Sequence, residues 1–150
     1  MKEFDLLSIY PCINKRYVSK NTRKIENRII ASYRDKEFYD GKRDNGYGGF
    51  KYDGRWKKIA ERIFEHYKLK ENARILQIGS DKGFLLNDIK NIKPKCTVAG
   101  IEVSNYAIKK TLKSVKKYIK KSSFVNLPYN NNYFDFVIAI GPVYSLSLPD

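Results

Sequence analysis

At 150 residues the chain is about one domain, enough to bury one core and not two. Its 30 Lys and Arg against 16 Asp and Glu give a net charge of +14, a positive field attractive to nucleic acid, acidic lipid or anionic sugars. Cys12 and Cys96 lack CxxC spacing and His66 is the only histidine, so neither a zinc site nor a disulfide scaffold can be assembled, and no apolar run approaches the roughly 20 residues of a membrane span.

The N-terminus carries acids beside its short apolar stretch and has no small-residue cleavage site, so the expected compartment is the cytoplasm, with two free thiols. From Asn21 or Thr22, Ile25, Ile29, Ile30 and Tyr33 recur at helical spacing and predict an amphipathic helix to about Arg34. The segment from Asp40 to Gly54 holds five glycines among aromatics and charges and is expected to be a loop. It separates an N-terminal arm, residues 1–45, from a body, residues 46–150.

Trp56, Ile59, Ala60, Ile63, Phe64 and Tyr67 form the apolar stripe of a helix packed on a core. Ala73 to Gly79 predicts a strand, Leu85, Ile89 and Ile92 a helix stopped near Pro94, and Thr97 to Glu102 a second strand. Ser104 is placed to cap a third helix, whose apolar face would hold Ala107, Ile108, Thr111, Leu112 and Val115. Ser122 to Val125 reads as a brief strand, and Phe134 to Ile140 as a strand buried on both faces. Strands alternating with helices imply right-handed βαβ units and an α/β fold with a parallel sheet.

In such sheets ligands sit beyond the carboxyl ends of the strands, which directs attention to Gln77–Leu85, QIGSDKGFL. Gly79 and Gly83 would let the chain turn sharply and bring backbone amides to a ligand. Glu102, at the end of the second strand, lies where an acid can accept both hydroxyls of a ribose. These features together describe a nucleoside pocket. Gly79, Ser80, Asp81, Lys82, Gly83 and Phe84 match a GxGxxG dinucleotide fingerprint poorly.

The same stretch resembles the first motif, (D/E)xGxGxG, of class I (Rossmann-like) methyltransferases that use S-adenosylmethionine (SAM), with Gln77 in place of the acid and Asp81 in place of the middle glycine. GIEVSNYAI, from Gly100 to Ile108, resembles the second motif, and NLPYNNNYFDFVIAIG, from Asn126 to Gly141, the segment leading into the fourth strand. GYGGFKYDGRW, from Gly46 to Trp56, is similar to a stretch before the first motif in bacterial members, several of them associated with surface polysaccharide loci.

The resemblance implies SAM as cofactor, with Gln77, Gly79, Ser80, Asp81, Gly83, Glu102, Val103, Ser123, Phe124 and Ile140 lining its site and no metal. Tyr47, Tyr52 and Arg55 would form a lid, with Arg55 near the methionine carboxylate. It also implies strand order 3-2-1-4, the front of a seven-stranded sheet truncated after the fourth strand: either the 150 residues are a piece of a longer protein, or a partner chain or the arm covers the open edge of the fourth strand. The acceptor would be a small molecule or glycan, and no catalytic residue is identifiable. Two rival readings remain: a noncatalytic methyltransferase-like module, and a basic nucleic-acid binder. The second draws on seven lysines between Lys109 and Lys121 with no acid among them, but only Tyr118 lies within that run to grip bases. His66 is expected to be solvated and Trp56 to belong to the core.

Overall fold

A computed structural model describes residues 3–11 and 23–141 of the chain. Cys12 lies outside the described residues. The elements in chain order are α1 (Ile25–Ser32), α2 (Lys36–Asp40), α3 (Lys57–Tyr67), β1 (Arg74–Ile78), α4 (Phe84–Ile92), β2 (Thr97–Glu102), α5 (Asn105–Lys109), β3 (Ile119–Lys121) and β4 (Phe136–Ala139). The four strands form one sheet in the order β3-β2-β1-β4, parallel at each pairing, the Rossmann-like arrangement expected.

Side-chain alternation divides the sheet into two unequal faces. Ile75, Val98 and Ile138 point into the main core, which α3 fills with Ile59, Ala60 and Ile63 and α4 with Leu85, Leu86 and Ile89. Leu76, Ala99 and Ile101 point the other way, where Ile78, Phe124, Tyr129 and Phe134 form a thin cover. Cys96 is buried against the main core, its thiol donating to the Glu71 carbonyl at 3.1 Å. Trp56 packs at the rim of that core, one residue ahead of α3.

Three sequence expectations need correction. The helix capped by Ser104 ends at Lys109, well short of Val115. Thr111 bonds its hydroxyl back to the Ala107 carbonyl at 3.1 Å, and the Leu112 amide turns to the Lys82 carbonyl at 3.2 Å instead of continuing the helical ladder. The apolar residues still reach the core, but along a winding path. The third strand is Ile119–Lys121 and precedes Ser122–Val125, because the register places Gly100, Ile101 and Glu102 beside Ile119, Lys120 and Lys121. β4 is not buried on both faces: Ile138 is 4% exposed and Val137 51%, since Val137 lies on the thinly covered face.

The arm is more structured than one helix. α1 leaves Ile25 and Ile29 exposed; a turn then leads into α2, which Asp35 caps by accepting the Glu37 amide, and into a 3-10 turn at Arg43–Asn45. Tyr39, in α2, is fully buried and ties the arm to the body.

Candidate functional site at the carboxyl ends of the strands

The turn out of β1 is built on two glycines in left-handed conformation, Gly79 at φ 70° and Gly83 at φ 77°. A Cβ at Gly83 would lie 2.8 Å from the Val115 side chain, so the close approach of the loop to the core requires glycine there as well as the dihedral does. Asp81 takes φ 50°, in the left-handed region that aspartate tolerates better than most residues. The amides of Gly79 and Ser80 donate to the Ile101 carbonyl at 2.8 and 3.0 Å, folding the loop onto the end of β2.

Glu102 ends β2 and is fully buried. One carboxylate oxygen accepts from the Asp81 amide at 2.8 Å, and the other from the Val103 and Ser104 amides at 2.9 Å each. The strand-end acid and the glycine loop therefore meet directly. Two polar atoms at the base of this loop, Gln77 Oε1 and Ser80 Oγ, are buried without a hydrogen-bond partner. Such atoms cost roughly 1–3 kcal/mol each when left unmatched.

The arm lies on this loop. Asp81 accepts from the Tyr39 hydroxyl at 2.8 Å, the Tyr47 hydroxyl at 3.2 Å and the Arg34 guanidinium at 3.2 Å. Burial, reinforced by the nearby Glu102 charge, pushes the Asp81 carboxyl up to about 6 against the opposing pull of Arg34 and the two tyrosines. Burial and the Asp81 charge likewise raise the Tyr39 and Tyr47 hydroxyls, which stay protonated as donors. The Ser104 hydroxyl donates to the Arg34 carbonyl and accepts from the Ala107 amide, so one side chain both caps α5 and holds the arm.

A second clasp sits beside the first. The Lys82 ammonium contacts both Asp40 oxygens at 2.7 and 2.8 Å and donates to the Phe50 carbonyl. It lies within 6 Å of the ring centres of Tyr39, Phe50 and Tyr106. Burial opposes ionisation of Asp40, yet the hydrogen bonds from Lys82, Tyr106 and the Phe50 amide hold its carboxyl at about 2. Tyr106, donating to Asp40, is pushed up to about 12.

The other sequence candidates spread more widely. Val103 adjoins Glu102 through its amide, Phe124 packs on the thin face and Ile140 on the main core. Ser123 is exposed and accepts from the Val125 amide at 3.2 Å. Tyr52 is held by Asp88 of α4, with its ring edge-on to Phe84. Arg55 is engaged by Asp53 and the Tyr10 hydroxyl. Tyr47 lies on the loop as described, whereas His66 stacks on Phe4 at 3.5 Å, exposed on α3.

The residues that sequence reasoning missed are Arg34, Tyr39, Asp40, Lys82 and Tyr106. Their only sequence signal was the density of tyrosines and opposite charges on either side of the glycine-rich stretch. A depression of about 680 Å³ at the opposite, amino ends of the strands is lined by Ala73, Arg74, Thr97 and Asp135, far from this constellation.

No protein-family model matches the chain, and no curated protein matches it in sequence. Solved structures do match in three dimensions. A SAM-dependent methyltransferase from Aquifex aeolicus superposes with a TM-score of 0.50 at 24% identity, over 66% of this chain and 62% of that one. A candidate S-adenosyl-L-methionine-dependent methyltransferase from Methanococcus maripaludis superposes with a TM-score of 0.55 at 16% identity, over 89% of this chain and 57% of that one. The chain thus spans about three fifths of the length of these relatives. With its sheet order, it has the Rossmann-like fold of class I SAM-dependent methyltransferases.

Proposed function

We propose that this chain is the cofactor-binding part of a SAM-dependent methyltransferase. The observation that carries the reading is the meeting of the Glu102 carboxylate with the Asp81 amide of the glycine loop, 2.8 Å apart at the carboxyl ends of β1 and β2. That is where open α/β sheets hold nucleosides. Glu102, buried with its oxygens on the Asp81, Val103 and Ser104 amides, would accept the ribose hydroxyls once the arm is displaced. The backbone at Gly79, Ser80, Asp81 and Gly83, whose amides are bonded to Ile101, Glu102 and the loop itself, would then give the ligand a close approach. Gln77 Oε1 and Ser80 Oγ, buried and unmatched, fit a polar ligand that supplies their missing partners. Val103, Ser123, Phe124 and Ile140 would line the pocket, and Tyr52 and Arg55 would close it after a rearrangement of the arm.

SAM supplies a methyl group already activated by its sulfonium charge. The protein's own task is then alignment and exclusion of water. The aromatic packing of Tyr47 on Phe50 and of Phe50 on Phe84 supports a dry environment on the arm side of the loop. A sugar hydroxyl of a surface glycan is the proposed acceptor; it rests on the resemblance of Gly46–Trp56 to methyltransferases of polysaccharide loci. We also propose a partner chain along β4, whose one strand neighbour among the described residues is β1.

The test is calorimetric titration with S-adenosylhomocysteine. Saturable binding is expected, weakened about 10- to 100-fold by Glu102→Ala, the range for a hydrogen bond to a charged group. Absence of binding by the folded native chain would remove the cofactor reading. The noncatalytic alternative is favoured by the full commitment of Asp81 to the arm; it predicts binding with no methyl release from labelled SAM to any glycan acceptor.

A further inference from the structure

Between Glu102 and Asp135 the sequence has no acidic residue, and it carries seven lysines from Lys109 to Lys121. The fold carries these lysines into the edge strand of the sheet: Lys109 ends α5, Lys110 and Lys113 follow it, Lys116 and Lys117 lie in a 3-10 turn, and Lys120 and Lys121 in β3. All seven are exposed, and none forms an ion pair among the described residues. Elsewhere Arg34, Arg55, Arg74, Lys82, Lys93 and Lys95 each have an acidic partner.

The lysine run alone offers only Tyr118 to hold bases, but the fold supplies further rings from a later segment. The Lys120 ammonium lies 5.1 Å from the Tyr129 ring centre. Tyr129 and Tyr133 are near-parallel, 10° apart in plane with centres 6.4 Å apart, and the Arg74 guanidinium lies 5.1 Å from the Tyr133 ring. Cation, ring, ring and cation thus follow one another on the thinly covered face, beginning at the lysine edge. Tyr133 is 40% exposed and presents ring surface to solvent. Charge interleaved with accessible aromatics suits a flexible strand whose phosphates follow the lysines while unpaired bases reach the rings.

We infer that this edge and its tyrosine row form a docking surface for single-stranded nucleic acid. The inference is independent of cofactor binding. A duplex would engage the lysines but keep its bases stacked away from Tyr129 and Tyr133.

The test is fluorescence anisotropy with a fluorescein-labelled single-stranded RNA of mixed sequence, titrated across a salt series. Two variants of equal charge are compared: Lys116→Gln with Lys117→Gln, Lys120→Gln and Lys121→Gln, and Lys36→Gln with Lys42→Gln, Lys57→Gln and Lys58→Gln on other exposed surfaces. The first set is expected to weaken binding at least about tenfold and to flatten the slope of log affinity against log salt by about 3, at roughly 0.7 per phosphate contact. The second set should cost much less. Tyr133→Leu should weaken single-strand binding about tenfold at nearly unchanged salt slope.

Equal losses from the two lysine sets would reduce the effect to net charge and overturn the proposal. So would tighter binding to a duplex of the same length, or retention on phosphatidylserine vesicles without RNA binding. S-adenosylhomocysteine titration of the first lysine set separates the two readings: unchanged heats with lost RNA binding assign the defect to the docking surface alone.

Discussion

Asp81 concentrates the tension in the site. Its carboxyl is raised to about 6, by burial first and the Glu102 charge second, while three donors favour the ionised form. A raised acid binds its proton more tightly in the folded chain than in the unfolded one, so its contribution to stability is fully present below the ordinary value of 3.8 and is lost as pH rises through about 6. Asp81→Asn should flatten the dependence of melting temperature on pH between 4 and 6, and thermal melts followed by circular dichroism across that interval check it. An unchanged slope would mean that Asp81 is not the titrating group. At this scale Glu102 was legible, because an acid closing an apolar strand at a fixed distance from a glycine turn is a local pattern. The partners of Asp81 were not, since Arg34 and Tyr39 lie 47 and 42 positions away. No periodicity records such a contact.

Among elements, the arm and the glycine loop act on each other through the Lys82–Asp40 clasp. Asp40 is held at about 2, so its contribution is present above 3.8 and disappears as pH falls through 2. Allowing for solvent screening, this amounts to about 1 kcal/mol. Lys82→Met should lower the melting temperature at pH 6 and converge with the native protein near pH 2, as read from the acid limb of a melting series. The helices of the body, α3 and α4, were legible because each carries an apolar stripe that a core must cover. α5 was overextended because the stripe from Ala107 to Val115 persists in burial after helical hydrogen bonding stops at the Thr111 turn. The periodicity there reports which residues are covered, not which backbone carries them.

Among the described residues the molecule is a four-stranded sheet with one deep face and one shallow one. The alternation of strands and helices made a parallel α/β sheet legible, and its strand order was legible only through the resemblance to class I methyltransferases. The shallow face was not, because a continuous apolar run such as Phe134 to Ile140 looks the same whether one side or both are covered. With Val137 half exposed on β4, concentration-dependent self-association is expected in sedimentation velocity, and Val137→Lys should reduce it. Association that Val137→Lys leaves untouched would locate the contact elsewhere. The arm across the loop also governs access. Under the proposed reading, a molecule bound for Glu102 must wait for Arg34, Tyr39 and Tyr47 to release Asp81. The measured dissociation constant is then the intrinsic one divided by the fraction of molecules standing open. Under this gating the observed association rate rises with ligand concentration only until unlatching becomes the slow step, and then levels off at a ceiling set by the protein alone.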